Sequence, residues 1–186
     1  MILYNDLSYL HKKIEKALIG SFKKNLNNSS FVNSGEIEDF ENEFAKYLGV
    51  KFVVGCSNGS DAIAVALKAL ITKSIENKVI LMPNISYLST LYSALRYTCK
   101  IIFCDIDIKT GLIDIQKFKK ILEKNRIDIL ITVNLNGSIP NQKKILSLKN
   151  QYKFNWIEDA AHSVGSKYCN YDCQTKNICK CQLNNQ

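Results

Sequence analysis

Short apolar runs alternate with amphipathic stretches along nearly the whole chain, and this alternation limits the folds open to it more than any other feature. The runs fall at residues 51–55, 78–82, 101–105, 127–133 and 153–158. Before and between them, apolar residues recur at helical spacing over 8–18, 36–48, 61–70, 86–97, 115–124 and 142–151. Strands separated by helices do not pair as hairpins; they lie side by side, with the helices over both faces. The expected fold is therefore a three-layer α/β/α arrangement around a mostly parallel sheet. A chain of 186 residues, 46% apolar and 23% charged, is long enough to bury one such core. Residues 1–33 read as a helical lead-in with a polar loop at 25–30, residues 34–168 as the α/β domain, and 169–186 as a cysteine-rich tail.

Two of the strand ends carry polar residues of a kind that chemistry uses. Ser57-Asn58-Gly59-Ser60-Asp61 follows Phe52-Val53-Val54 and opens a helical stretch. A helix start aims unpaired backbone N–H groups at an anion, Gly59 lets the main chain come close, and Ser60 adds a hydroxyl. The alternative is that Ser57 or Asn58 merely caps a core helix. The second cluster, Trp156-Ile157-Glu158-Asp159-Ala160-Ala161-His162, places Asp159 and His162 beyond the carboxyl end of a strand, where open α/β sheets hold ligands. An aspartate there can keep a pyridine nitrogen protonated, with His162 against the ring or hydrogen-bonded to its oxygen. Alternatively, Glu158 and Asp159 complement a helix dipole and His162 is a satisfied core histidine.

Residues 34–49, SGEIEDFENEFAKYLG, open a series of five ordered motifs and resemble the opening signature of the DegT/DnrJ/StrS-type nucleotide-sugar aminotransferase family. Ser57-Asn58-Gly59-Ser60-Asp61-Ala62 is similar to its Ser-Asn-Gly-Thr-Asp-Ala, and Pro83-Asn84-Ile85-Ser86-Tyr87 to its Pro-x-x-Thr-aromatic segment. Phe103-Cys104-Asp105-Ile106-Asp107, with Thr110 and Asp114, and then Glu158-Asp159-Ala160-Ala161-His162 complete the set. The resemblance runs from about Ile14 to about Tyr168. It implies the large-domain part of fold type I of the transferases that use pyridoxal 5′-phosphate (PLP), with 34–168 as the cofactor-binding domain. By the same resemblance, Gly59 and Ser60 bind the cofactor phosphate, Tyr87 stacks on the ring, Asp159 pairs with the ring nitrogen and His162 lies near the ring oxygen. Tyr87 could equally be an aromatic packed in the core. Asn134-Leu135-Asn136-Gly137 stands where members often have His-Leu-Tyr-Gly, and receives no role.

The resemblance further implies a Schiff-base lysine shortly after a Cys-Phe-Ser-Phe-like strand. Residues 178–186 look like the approach to that strand and no lysine follows. Lys176 and Lys180 fall before the expected place, and no histidine stands there as in the family's dehydratases, since His11 and His162 are the only two. The expectation is therefore a chain truncated before that lysine, with no catalytic residue assigned and no turnover by itself. As family substrates the resemblance implies a nucleotide-linked keto sugar and glutamate, in amino-sugar biosynthesis for surface polysaccharide or glycoconjugate. It also implies a homodimer in the full-length form. A non-catalytic module of the same fold is the second expectation.

The formal charge of +8 raises the question of nucleic acid. The basic residues, however, come as scattered pairs (Lys12-Lys13, Lys23-Lys24, Lys119-Lys120, Lys143-Lys144) without an interleaved aromatic stripe, so no nucleic-acid partner is expected. Of seven cysteines, Cys56, Cys99 and Cys104 fall in or beside apolar runs and read as reduced core thiols of a cytoplasmic protein. Cys169, Cys173, Cys179 and Cys181 crowd the tail, where zinc binding is a third, weaker expectation because no Cys-x-x-Cys pair is present. No signal peptide and no membrane span are expected.

Overall fold

A computed structural model of the chain describes residues 6–32, 34–71, 78–97 and 99–166. It divides into two compact units, Met1–Gly55 and Cys56–Gln186.

The first unit carries α1 (Ser8–Asn27) and α2 (Gly35–Leu48). Helix α1 runs through residues 25–27, expected as loop, because Phe22 and Leu26 continue the four-residue spacing of Ile14 and Leu18. The Glu36 carboxylate binds the two helices: it accepts from Asn25 Nδ2 at 2.6 Å and Ser21 Oγ at 2.9 Å. These two contacts, Asn25 first, hold its carboxyl below the usual range. Helix α2 stops at Gly49, whose φ of 67° lets Val50 N–H reach Ala45 O. The expected strand at 51–55 does not form. Phe52 and Val54 are 76% and 73% exposed, and no ladder of the described sheet includes the run. Apolar composition favours a strand, but a paired neighbour makes one.

In the second unit four five-residue strands form one parallel sheet in the order β2-β1-β3-β4: β1 Val79–Pro83, β2 Lys100–Cys104, β3 Ile129–Val133 and β4 Asn155–Asp159. Helices α3 (Gly59–Leu70), α4 (Leu88–Leu95), α5 (Ile115–Lys124) and α6 (Gln142–Tyr152) alternate with them. Period-two alternation sends Ile80, Met82, Ile129 and Ile131 to one face, where they pack with Ile63 and Leu67 of α3 and Ala94 of α4. Leu81 and Leu130 face the other way, toward Phe118 and Leu122 of α5 and Ile145 and Leu148 of α6. Every residue of β3 is buried, as befits a strand with a helix layer over each face. Side-chain caps set the starts of α5 and α6: Asp114 accepts from Gln116 and Lys117 N–H, and Asn141 accepts from Lys144 N–H.

The chain leaves β1 in one direction to form β2, then returns past β1 to lay down β3 and β4. The resulting change of direction between β1 and β3 opens a crevice at the carboxyl ends of the strands. Among the thiols, Cys104 is buried and Cys99 half-buried, but Cys56 is exposed, since the run before it is not a core strand. Burial, with Asp114 and then Asp105 adding, pushes the Cys104 thiol up to about 12, so it stays protonated and packs as a small apolar residue.

Candidate cofactor site

At that crevice lies a cavity of about 360 Å³ lined by Asn58, Gly59, Ser60, Tyr87, Asp159 and His162, together with Ile63, Ser89, Val133, Leu135 and Ala161. Its size falls in the range of small-molecule sites, with an apolar wall and a few convergent polar groups. The five residues singled out in the sequence, more than a hundred positions apart at the extremes, therefore meet in one place. The described residues that line the cavity include no lysine. Lys176, Lys180 and the four tail cysteines lie outside the described residues, and no group of three metal-ligating side chains occurs among the described ones.

One end of the cavity is the start of α3. Asn58 caps the helix, its Oδ1 accepting from Asp61 N–H at 2.9 Å. The Asp61 carboxylate in turn accepts from the Ser57 hydroxyl, from Asn58 Nδ2 at 2.9 Å and from Arg96 Nη1 at 2.6 Å. The Ser57 hydroxyl first, and then the Arg96 guanidinium, hold its carboxyl below the usual range. So anchored, the turn leaves the backbone N–H groups of Gly59 and Ser60 and the Ser60 hydroxyl without a protein partner among the described residues, while Ala62 N–H makes the first helical bond, to Asn58 O. Asn58 thus caps the helix, and the donors of the next two residues remain beside the cavity.

Another part of the lining is the last residue of β4. Asp159 is half-buried, and each carboxylate oxygen has one protein donor: Thr90 Oγ1 to Oδ2 at 2.9 Å and Ala161 N–H to Oδ1 at 3.2 Å. A carboxylate can accept about four hydrogen bonds, so capacity for a ligand donor remains. His162 Nδ1 accepts from Asn136 N–H at 3.4 Å, an assignment that puts the proton of the neutral ring on Nε2 as a donor. Tyr87 precedes α4 and is 72% exposed, so it is a wall residue and not a core aromatic.

The segment given no role from sequence turns out to support the site. Asn134 is 2% exposed and its Nδ2 donates to Glu158 Oε1 at 2.9 Å and to Ser163 Oγ at 2.8 Å, bracketing Asp159 and His162. Its backbone N–H donates to Asp159 O at 2.9 Å. The turn Leu135–Gly137 then passes through positive φ at Asn136 (51°) and Gly137 (83°), residue types that tolerate it. A polar residue at the end of an apolar strand was the only sequence signal. Asn134→Ala is expected to lower the unfolding free energy by about 1–3 kcal/mol, by taking a donor from the buried Ser163 hydroxyl, while the exposed Glu158 keeps Gln142 as a partner. Urea denaturation reads this directly, and an unchanged midpoint would remove Asn134 from the scaffold.

Comparison with known proteins gives consistent matches. Residues 12–183 match the DegT/DnrJ/EryC1/StrS aminotransferase family. The UDP-4-amino-4,6-dideoxy-N-acetyl-beta-L-altrosamine transaminase of Campylobacter jejuni is 29% identical over 164 residues, 87% of this chain and 43% of that protein. The GDP-4-keto-6-deoxy-D-mannose 3-dehydratase of Escherichia coli O55:H7 is 32% identical over 172 residues, 90% of this chain and 41% of that one. A crystal structure of GDP-4-keto-6-deoxymannose-3-dehydratase with a trapped PLP-glutamate geminal diamine superposes with a TM-score of 0.72 at 28% identity, covering 91% of this chain and 42% of that one. The chain thus spans less than half the length of the relatives it matches.

Proposed function

This chain belongs to the DegT/DnrJ/EryC1/StrS aminotransferase family, and from that premise we propose that its second unit is the cofactor-binding half of a PLP-dependent enzyme acting on a nucleotide-linked keto sugar, with glutamate as amino donor. One observation carries the reading: unpartnered anion donors at Gly59 and Ser60 and a carboxylate at Asp159 line the same cavity. That donor set fits a ligand with a phosphate at one end and a basic ring nitrogen at the other.

In this reading the Gly59 and Ser60 N–H groups and the Ser60 hydroxyl hold the phosphate, helped by the positive end of α3. Asp159 pairs with the ring nitrogen and keeps it protonated, a charge-assisted hydrogen bond strengthened by the apolar wall of Val133, Leu135 and Ile63. His162 would offer its Nε2 proton to the ring oxygen, and Tyr87 would pack on the ring. When bound, the cofactor supplies an electron sink for charge developing on the substrate carbon. The relatives' names divide between transamination and dehydration. Full-length members would pair as homodimers, and the described residues would bind cofactor without covalent attachment.

Titration with 4-deoxypyridoxine 5′-phosphate, which keeps the ring nitrogen and phosphate but forms no imine, tests the cavity. The chain is expected to bind it, and Ser60→Ala to weaken binding about tenfold or more, the scale of a lost hydrogen bond to a charged group. A Cβ added at Gly59 meets no protein atom within 4 Å, so Gly59→Ala alters the cradle without a collision inside the protein and serves as a second probe. Borohydride treatment of the chain with PLP, followed by peptide mapping, is expected to leave no specific adduct. A single modified lysine at Lys176 or Lys180 would overturn the non-covalent part of the reading.

A further inference from the structure

Helix α4 bears two hydroxyls with no exposed surface, Thr90 and Ser93, one turn apart. Such groups are rarely buried without a purpose for their hydrogen bonds. Thr90 Oγ1 donates to Asp159 Oδ2 at 2.9 Å, across 69 residues of sequence. Ser93 Oγ lies 2.8 Å from Ser60 O and 2.6 Å from Ser89 O, its single proton serving a carbonyl of the anion cradle or of its own helix. Two more contacts fasten the end of α4 and the residues after it to α3: Arg96 to Asp61 at 2.6 Å and Tyr97 Oη to Ala64 O at 2.7 Å. The helix therefore touches both Asp159 and Ser60, two residues of the cavity lining, through groups that water does not reach.

We propose that Thr90 is a positioning residue of the pocket, with Ser93 its counterpart at Ser60, so that α4 fixes the spacing between the anion cradle and the Asp159 carboxylate. The proposal rests on reading the cavity as the cofactor site. A carboxylate on a rotatable side chain can swing. Donors from Thr90 and Ala161, one on each oxygen, hold its plane and leave the remaining lone pairs toward the ligand. A ligand whose anion and ring nitrogen match the fixed separation meets both ends without reorganising them, which is the gain of preorganisation. A ligand with only one of the two groups gains from only one end.

The test uses the 186-residue chain, with 4-deoxypyridoxine 5′-phosphate as the two-ended probe and inorganic phosphate as the one-ended probe. Thr90→Val is expected to weaken the two-ended probe about tenfold, the scale of one hydrogen bond to a charged group. Phosphate affinity should stay within twofold. Thr90→Ser, which keeps the hydroxyl and drops the methyl, is expected to restore affinity for the two-ended probe to within twofold. The ultraviolet band of the bound probe gives a readout that loss of packing alone would not move. In Thr90→Val the ring nitrogen should lose its proton at lower pH, because the carboxylate no longer faces it squarely. In an Asp159→Asn background Thr90→Val should add nothing. Ser93→Ala is expected to weaken both probes. Equal losses for both probes in Thr90→Val, failure of Thr90→Ser to rescue, or a loss that persists in Asp159→Asn would each overturn the role of Thr90 while leaving the cofactor reading intact. A parent chain that binds phosphate but not the two-ended probe would overturn the cofactor reading itself, and this proposal with it.

Discussion

Asparagine in place of Asp159 is expected to weaken binding of 4-deoxypyridoxine 5′-phosphate by about 10- to 150-fold, corresponding to about 1.5–3 kcal/mol for a hydrogen bond to a charged group. The substitution keeps the size of the side chain and an oxygen that can still accept from Thr90 or Ala161, so the local scaffold has little reason to move. What it removes is the negative charge that favours a protonated ring nitrogen. Because one face of the cavity is apolar, with Ile63, Val133 and Leu135 in its wall, the charge is screened less there than on an open surface. The same variant should bind inorganic phosphate as the parent does, since the cradle at Gly59 and Ser60 is untouched. Isothermal titration with both ligands checks the pair of expectations. Unchanged affinity for the ring-bearing ligand would mean that Asp159 does not face it.

The largest stability change is expected on the opposite side of the sheet. Phe118 is fully buried on α5, sits edge-on to Phe154 with ring centroids 5.6 Å apart, and packs among Leu81, Leu130 and Ile145. Phe118→Ala should cost about 3–5 kcal/mol, from lost transfer energy and the cavity left behind. For a domain whose total stability is of order 5–15 kcal/mol, that is a large share. Phe118→Leu, which retains most of the volume, should cost clearly less. The single tryptophan provides the signal: Trp156 lies on β4 and its indole N–H donates to Thr132 Oγ1 at 2.9 Å. Urea denaturation followed by its fluorescence is expected to show a much lower midpoint for the alanine variant. A midpoint equal to that of the parent would mean that α5 is not seated as described.

Much of this was legible in the residues because the signals were local. Helix α5 begins and ends where its apolar spacing and the cap at Asp114 put it, and four of the five apolar runs became strands within two residues of the expected bounds. The fifth, 51–55, failed because strand formation depends on a neighbour that a single-segment pattern does not reveal. The turn before α4 shows the same limit. Ser86 and Tyr87 read as helical by spacing, yet Tyr87 stays extended as the residue before the helix, which is how it comes to line the cavity. Gly59, Ser60, Asp159 and His162 could be named from motif order. Thr90, Ser93 and Asn134 could not, because their partners lie 69, 33 and 24–29 residues away and each alone looks like an ordinary polar residue in an apolar stretch. Long-range hydrogen bonding is what one-dimensional periodicity leaves out.

The strand order carries a kinetic consequence. β3, the most deeply covered strand, enters between β1 and β4, pairing Ile80 with Ile129 across nearly fifty residues of intervening chain. During synthesis at about 5–20 residues per second, β1 and β2 emerge seconds before the strand that flanks β1 on its other side. For that interval β1, apolar along its whole length, keeps one border open to any extended segment nearby. Non-local parallel pairing of this sort is slow to nucleate, because loop closure must precede the contacts that reward it. Slow, temperature-sensitive refolding, improved at high dilution, is the behaviour this topology dictates.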